Sequence, residues 1–218
     1  MSTYRPLAEI LRPSELSEFI GQRHLLDPDK PIGKALADNQ LHSMILWGPS
    51  GVGKTTLARI ICSQMGAHFE QMSAVLDGIK ELRNVIEHAK LYKHQDKNTI
   101  LFVDEIHRFN KAQQDAFLPH IESGLITLIG ATTENPSFEI NSSLLSRSRV
   151  YILDKLNEED LSTIATRAIK NQGIILDDDG SLSLIVNSSD GDARRLINII
   201  EQLTETSDKT LNKNDIAK

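Results

Sequence analysis

The sequence has little cysteine and no long apolar run, and these absences exclude several classes of protein. Cys62 is the single cysteine among 218 residues, so a disulfide framework and a zinc site built from thiolates are excluded. The N-terminus lacks the apolar core of a signal peptide, and no apolar run approaches the ~20 residues that a membrane span needs. We therefore expect an intracellular, soluble protein with no membrane partner.

The sequence also lacks an excess of basic residues. It has 24 Lys and Arg against 30 Asp and Glu, a formal net charge of −6. Because nucleic-acid-binding proteins normally show a basic signature, a nucleic-acid partner would need a local patch or a surface built by assembly. The nearest approach to such a patch is KLYKHQDK, residues 90–97, and a solvated helix end is the favoured interpretation of it.

Strand-length apolar runs alternate with helical patterns as far as Asp154, after a first stretch of about 43 residues that is predicted to be irregular with short helices. Strands are predicted at 43–47, 68–72, 99–103, 125–133 and 149–153. Helices are predicted at 57–65, at 79–89, where Ile79, Leu82, Ile86 and Ala89 have helical spacing, and at 110–124. Pro119 predicts a kink or break in the last of these helices. This alternation predicts an α/β fold with a parallel sheet flanked by helices.

After Asp154 the strand patterns stop. Asn157 followed by three acidic residues is a typical helix start, and further helices are predicted over 181–188 and after GDARR, with a possible fourth beginning in TLNKNDIAK. We therefore predict an α/β domain over residues 1–154 and a small all-helical domain over 155–218.

The segment GPSGVGKT fits the phosphate-binding pattern G-x-x-x-x-G-K-[ST] in full and lies between a predicted strand and a predicted helix. An ordinary glycine-rich turn would not explain the Lys-Thr pair in this context. Lys54 is expected to reach the β- and γ-phosphates of ATP, and Thr55 to ligate Mg²⁺. The expected nucleotide-binding residues are Gly48, Pro49, Ser50, Gly51, Val52, Gly53, Lys54, Thr55 and Thr56.

ILFVDE, residues 100–105, supplies the second half of the predicted site. A buried strand would deliver Asp104 to its C-terminal edge to hold Mg²⁺, and Glu105 would orient or deprotonate the attacking water. An apolar run followed by Asp-Glu is often only a strand end with a helix cap. Its position 50 residues after Lys54 makes it a much stronger indication of ATP hydrolysis.

Three later segments offer further candidates. GATTEN places Thr132 and Thr133 at a strand end, where a hydroxyl could sense the γ-phosphate. LLSRSRV and GDARR contain arginines of the kind that stabilise charge on a transferred phosphoryl group, although solvated surface arginines are common. These arginines are Arg147, Arg149, Arg194 and Arg195.

The letters DEIH, residues 104–107, also spell a helicase signature. A DExH helicase closes ATP between two similar α/β domains, and this chain has no room for a second one. A P-loop kinase would gain nothing from Glu105 or Arg147, and a binding module without turnover would not need Glu105. The seven histidines show no metal-ligand spacing, and His107 is expected to orient the neighbouring helix or to face another subunit.

Taken together, GPSGVGKT, ILFVDE, GATT, LLSRSRV and GDARR resemble the AAA+ ATPases, in the branch that includes clamp-loader subunits and the RuvB motor. LRPSELSEFIGQRHLL, FVDEIHRFNKAQQDAFLPHIESG and IGATTENPSFEINSSLLSRSRVY resemble more closely the bacterial RarA (MgsA) family, which is similar to the Werner-helicase-interacting ATPases. This resemblance covers the chain from about Arg5 to Leu203. It implies a P-loop AAA+ domain followed by a helical lid.

The resemblance also implies residue roles. Thr133 resembles the sensor-one residue, and Arg194 the sensor-two residue of the lid. Arg147 resembles an arginine finger that acts on ATP held by a neighbouring subunit, with Arg149 as the alternative; clamp loaders have Ser-Arg-Cys where this chain has Ser-Arg-Ser. The segment Phe19-Ile20-Gly21-Gln22 resembles the one beside the adenine, so Ile20 and Gly21 join the expected binding residues.

The resemblance to RarA-like proteins implies that the chain is an ATPase. It would act on single-stranded, gapped or forked DNA in replication-fork maintenance, recombination and repair. The implied partners are further copies of the chain, joined through the finger and a C-terminal region absent here, and single-strand-binding or other replication proteins. The implied location is the bacterial cytoplasm, at the nucleoid. We expect the chain to be part of a longer protein and to show weak ATPase activity alone.

Overall fold

The structure is a computed structural model that describes residues 4–177, 180–206, 210–211 and 216. A five-stranded, fully parallel sheet forms its centre, in the order β2-β3-β4-β1-β5. The strands are β1 (Met44–Trp47), β2 (His68–Ser73), β3 (Thr99–Asp104), β4 (Ile126–Thr132) and β5 (Arg149–Ile152). All five agree with the strands expected from the apolar runs.

Helices precede, connect and follow these strands. Their bounds are α1 (Leu7–Ile10), α2 (Arg23–Leu26), α3 (Pro31–Ala37), α4 (Lys54–Gln64), α5 (Ile79–Lys93), α6 (Lys111–Asp115), α7 (Leu118–Glu122), α8 (Pro136–Glu139), α9 (Ser142–Leu145), α10 (Glu158–Gln172), α11 (Ser181–Ser188) and α12 (Ala193–Thr206). Short 3₁₀ turns lie at Leu16–Glu18 and Ile106–Arg108. None of the helices that the structure describes is both long and apolar enough to cross a membrane.

Two apolar clusters cover the sheet. Side chains of α4, including Leu57 and Ile61, pack with Phe102 in one cluster, and side chains of α5, including Leu82 and Ile86, pack with other sheet residues in the second. The central strands β1, β3 and β4 are buried on both faces, so they read as continuous apolar runs, whereas the edge strands β2 and β5 are partly exposed. The architecture is a parallel sheet flanked by helices, as predicted.

The C-terminal helices form a third apolar cluster together with Leu7 of α1. Leu161, Ala165 and Ala168 of α10 pack against Ile185 of α11 and Leu196 of α12. Asn157 caps α10 as predicted, because its Oδ1 accepts the backbone N–H of Asp160 at 2.8 Å.

One detail of the predicted elements needs revision. The prediction that residues 155–218 are all helical is wrong, because β6 (Ile175–Leu176) pairs in parallel with β7 (Thr210–Leu211). TLNKNDIAK therefore begins with β7, and its remaining residues lie mostly outside the described part of the chain.

The break predicted at Pro119 is confirmed. The helix predicted over 110–124 is divided into α6 and α7, and Pro119 lies in the first turn of the second, where its missing N–H costs nothing.

Candidate functional site

The glycine-rich segment forms a loop between β1 and α4, as the motif requires. β1 ends at Trp47, and α4 begins at Lys54 and runs for 11 residues. Gly51 and Gly53 have φ angles of 68° and 100°, a region that side chains with a Cβ rarely enter. The loop therefore curls in front of the N-terminus of α4, where free backbone N–H groups and the helix dipole favour an anion.

The Lys54 side chain is folded into this loop. The residue is only 8% exposed, and its Nζ donates hydrogen bonds of 2.7 Å to the carbonyl oxygens of Gly48 and Pro49. Burial lowers the pKa of Lys54, while the nearby carboxylates of Glu105 and Asp104 act in the opposite direction. An ammonium has three hydrogens, so one is left for a further acceptor.

The two carboxylates lie at the C-terminal edge of β3. Asp104 is the last residue of the strand, and Glu105 follows in the left-handed backbone region, with φ 51° and ψ 44°. For a residue other than glycine this conformation costs about 1–2 kcal/mol. It turns the chain sharply after Asp104, so that both residues line the cavity that Lys54 also lines.

His107 lies beside the candidate site. Its side chain is only 6% exposed, which argues against the expectation that it faces another subunit. Its Nδ1 lies 2.9 Å from Thr132 Oγ1 and 3.3 Å from Glu105 Oε2. The histidine therefore links two candidate site residues, and its expected role in orienting the neighbouring helix stays a prediction.

One cavity gathers most of the expected nucleotide-binding residues. Its lining includes Ser50, Gly51, Val52, Gly53, Lys54, Thr55, Thr56, Asp104, Glu105, Ile20 and Arg194. The expected residues outside this lining are Gly48, Pro49, Gly21 and Thr133. The loop carbonyls of Gly48 and Pro49 bind the Lys54 ammonium instead, and Thr133 directly follows β4 at the same sheet edge.

The C-terminal helices close one side of the cavity. The backbone N–H of Ala193, at the start of α12, donates to the carbonyl oxygen of Gly51 at 3.1 Å. A Cβ on Gly51 would stand 1.7 Å from Oδ1 of Asp192, so the loop and helix touch without intervening space. This contact places Arg194 on the cavity wall.

Arg147 and Arg149 lie outside the cavity lining. The Arg147 guanidinium is exposed, and it pairs with Glu122 and donates to the carbonyl oxygen of Ser143 at 2.9 Å. Arg149 begins β5 and pairs in register with Met44, the first residue of β1. It therefore lies at the N-terminal edge of the sheet, whereas the phosphate-binding loop follows the opposite edge.

Two arginines of the cavity lining were not predicted as site residues. Arg12 lies between Glu9, to which it is paired, and the Thr56 hydroxyl, 3.3 Å from its Nη1. Arg167 of α10 reaches across to donate to the carbonyl oxygen of Glu18 at 2.9 Å. Both line the cavity. Arg12 belongs to an Arg-Pro step, a pattern that indicates only a helix breaker, and no local pattern marks Arg167.

The donor set at the cavity suits a hard divalent cation. Thr55 contributes a hydroxyl and Asp104 a carboxylate to the same lining. Oxygen ligands of this kind, few in number and beside a phosphate-binding loop, are those that Mg²⁺ takes when it binds together with a nucleotide.

Comparisons with known proteins agree with this geometry. The model of the ATPase family associated with various cellular activities, AAA, matches residues 44–156, more than half of the chain. The chain is 50% identical over 214 residues to replication-associated recombination protein A of Escherichia coli K12, a match that covers 95% of this chain and 48% of that protein. It is 46% identical to the ATPase WRNIP1 of Dictyostelium discoideum, over 91% of this chain and 23% of the relative.

Among solved structures, the RuvB Holliday junction branch migration motor of Thermotoga maritima superposes with a TM-score of 0.77 at 29% identity, covering 95% of this chain and 71% of that one. The likeness extends past the sheet into the C-terminal helices, because the matched region includes nearly the whole chain. The chain spans about half the length of the recombination protein that it matches.

Proposed function

The chain belongs to the AAA family of ATPases, and from that premise we propose that it binds ATP with Mg²⁺ and hydrolyses it to ADP and phosphate. One observation carries this proposal. Lys54, Asp104 and Glu105, from two separate segments of the sequence, line a single cavity at the N-terminus of α4. A kinase or a binding module does not require a free carboxylate beside the expected metal ligand.

Phosphate binding is assigned to the loop and Lys54. The backbone N–H groups of residues 50–55 surround the β- and γ-phosphates, and Lys54 turns its remaining hydrogen toward them. Arg194 approaches the same phosphates from the start of α12. Ile20 and the neighbouring Phe19, both in the cavity lining, cover the base. Gly21, in the left-handed region at φ 84°, lets the chain turn directly behind them.

Hydrolysis is assigned to Glu105. A water oxygen attacks the γ-phosphorus, the bond to the β–γ bridging oxygen breaks, and the proton of the water passes to the Glu105 carboxylate. Thr133, at the end of β4, is assigned to sense the γ-phosphate. Thr55 and Asp104 would hold Mg²⁺, which when bound neutralises charge on the β- and γ-phosphate oxygens.

A division into two domains fits these roles. We assign residues 1–154 to the ATPase domain and residues 155–218 to a lid. The apolar cluster of α10, α11 and α12, which also takes in Leu7 of α1, supports a unit with its own core. The bond from Ala193 to Gly51 supports contact of that unit with the phosphate-binding loop.

A role in DNA replication, recombination and repair is supported by the names of the relatives. The recombination protein of Escherichia coli is 50% identical, and it is longer than this chain. We propose that single-stranded, gapped or forked DNA is the polymer acted on, in the bacterial cytoplasm at the nucleoid, with single-strand-binding or other replication proteins as partners. Arg147, exposed and outside the cavity, would then act on ATP held by a second copy of the chain.

A RuvB-like or clamp-loader-like DNA motor is the second candidate. The superposition on RuvB supports it, but at 29% identity, against 50% for the recombination protein. A specific observation to favour the motor would be stimulation by four-way junctions above all other DNA.

The test is the rate of phosphate release with single strands, duplex ends, gapped duplexes, forks and four-way junctions of matched length. We expect phosphate release that requires Mg²⁺ and increases with gapped or forked DNA. Absence of stimulation by any of these DNAs would contradict the role at replication forks and leave the ATPase assignment intact. Absence of ATP binding would contradict the ATPase assignment itself.

A further inference from the structure

His107 is a buried side chain with two polar contacts at the catalytic edge, and ATP hydrolysis as described above does not use it. It lies in the 3₁₀ turn Ile106–Arg108, directly after Glu105 and Asp104. A single ring nitrogen, Nδ1, approaches both Thr132 Oγ1, at 2.9 Å, and Glu105 Oε2, at 3.3 Å. The contact thus joins the ends of two neighbouring strands.

The register of the sheet explains why these residues meet. β3 and β4 pair in parallel with Val103 opposite Gly130. Two residues beyond this pair, Glu105 follows the end of β3 and Thr132 ends β4, so both lie at the same edge of the sheet. The left-handed turn at Glu105 then folds the chain back, so that His107 inserts its ring between them.

The contacts with Thr132 and Glu105 indicate which nitrogen of His107 carries the hydrogen. The Thr132 hydroxyl donates to the carbonyl oxygen of Glu134, at 3.2 Å, and accepts the N–H of Glu134, at 3.0 Å. When its hydrogen points to the Glu134 carbonyl, the hydroxyl has a lone pair left for His107 Nδ1. We assign the hydrogen to Nδ1 because the second neighbour of this nitrogen, the Glu105 carboxylate, can only accept.

The same N–H serves Glu105. A carboxylate only accepts hydrogen bonds, so a hydrogen on Nδ1 can bond to Thr132 at 2.9 Å and attract the Glu105 carboxylate at 3.3 Å, whereas a bare nitrogen would repel the carboxylate. Within the described part of the chain, His107 is the only side chain in hydrogen-bond or ion-pair contact with the Glu105 carboxylate. Thr132 is fully buried, so the anchor of this contact is rigid.

We propose that His107 is a positioning residue, anchored by Thr132, that fixes the orientation of the Glu105 carboxylate for its reaction with water. This inference rests on the proposed role of Glu105 as the group that accepts the proton. Without the N–H of His107, the Glu105 side chain is free to rotate at its exposed end, and the carboxylate is correctly placed beside the attacking water for a smaller fraction of the time.

The test compares substitutions that keep or remove the donor, measured on the full chain. The amide nitrogen of asparagine is as many bonds from Cα as Nδ1 of histidine, whereas that of glutamine is one bond further. We expect kcat for ATP to fall about tenfold in His107→Ala, His107→Gln and Thr132→Val, and His107→Asn and Thr132→Ser to recover most of the rate. The KM for ATP and the Kd for a fluorescent ATP analogue should stay at wild-type values.

Three outcomes would overturn the inference. They are an unchanged kcat in His107→Ala, a His107→Asn protein as slow as His107→Ala, and a parallel loss of ATP binding and thermal stability in every variant, which would indicate a purely structural role. The double variant Glu105→Gln/His107→Ala gives an independent check. It should be no slower than Glu105→Gln alone, because the positioned group is already gone, and an additive loss would contradict the proposal.

Failure of this inference is distinguishable from failure of the proposed function. A wild-type protein without phosphate release, or a Glu105→Gln protein at the wild-type rate, would refute the role of Glu105 before His107 is considered. An active wild type, a slow Glu105→Gln protein and a fully active His107→Ala protein would refute the positioning role alone.

Discussion

The cavity around Lys54 and the surface around Arg147 differ in how complete they are within one chain. In the cavity, the loop, both carboxylates of β3 and the start of α12 all line one space. Arg147 lies on an exposed surface, where it pairs with Glu122 and donates to the carbonyl oxygen of Ser143. It is not among the residues that line the cavity with the phosphate-binding loop. This difference supports our proposal that one chain binds ATP by itself and that rapid hydrolysis takes an arginine from a second copy.

The largest effect that separates binding from turnover is expected for Glu105→Gln. The amide cannot accept the proton of the attacking water, so kcat should fall about 10³-fold. Binding should persist, because the loop and Lys54 are untouched. Phosphate release and ATP titration on the same preparation check this, with Glu87→Gln, an exposed residue of α5, as the matched control. A Glu105→Gln protein that no longer binds ATP would break the separation.

Cys62 gives a probe of the rigidity of the cavity region. It lies in α4 behind the loop, its Sγ donates to the carbonyl oxygen of Ala67 at 3.2 Å, and burial raises the pKa of the thiol to about 11. Because only the thiolate reacts, alkylation at pH 8 should be at least about 100-fold slower than in the urea-unfolded chain. The rate in the folded chain should rise about tenfold per pH unit and level off only above pH 11, the pKa of the buried thiol. Equal rates in the folded and unfolded chain would indicate that this region opens readily.

Alanine substitutions at two glycines with similar φ angles distinguish the cost of backbone strain from the cost of disturbing the contact between the loop and Asp192. Gly51 and Gly66 both have positive φ, at 68° and 59°, but a Cβ on Gly51 meets Asp192 whereas one on Gly66 meets nothing within 4 Å. Both substitutions to alanine should cost about 1 kcal/mol of stability. Only Gly51→Ala should also weaken ATP binding, by about tenfold, because α12 must move away from the loop. Denaturant unfolding and ATP titration measure the two effects, and equal binding by both variants would remove the role of the α12 contact.

The sequence predicts the cavity well because its chemistry constrains residue types locally. Backbone approach to phosphate requires glycine, and the pattern around Lys54 is continuous along the chain. The central strands β1, β3 and β4 were predicted for a similar reason, since strands buried on both faces are apolar throughout. The short β6–β7 pair was not, because two-residue strands such as Ile175–Leu176 have no distinguishing pattern.

The contacts between distant segments were not predictable. His107 and Thr132 are 25 residues apart, and their meeting depends on the register of β3 against β4 and on a left-handed turn at Glu105. The contact of Gly51 with Asp192 depends on how the C-terminal helices pack. A local sequence pattern does not show which distant residues come into contact. For this reason the letters DEIH could be interpreted as a helicase signature or as a strand end with a helix cap.

The central claim is that ATP held in the cavity of one chain is hydrolysed with Arg147 of another. Mixing two inactive proteins tests it most directly: Lys54→Ala, which keeps Arg147 but loses ATP binding, and Arg147→Ala, which keeps the cavity. We expect each of these two variants to be inactive alone. Their mixture should regain phosphate release, because the intact arginine of one protein reaches the intact cavity of the other. The assignment to Arg147 would be contradicted by two results together. The mixture of Lys54→Ala and Arg147→Ala would be no more active than the sum of the two proteins, and a mixture of Lys54→Ala and Arg149→Ala would regain activity.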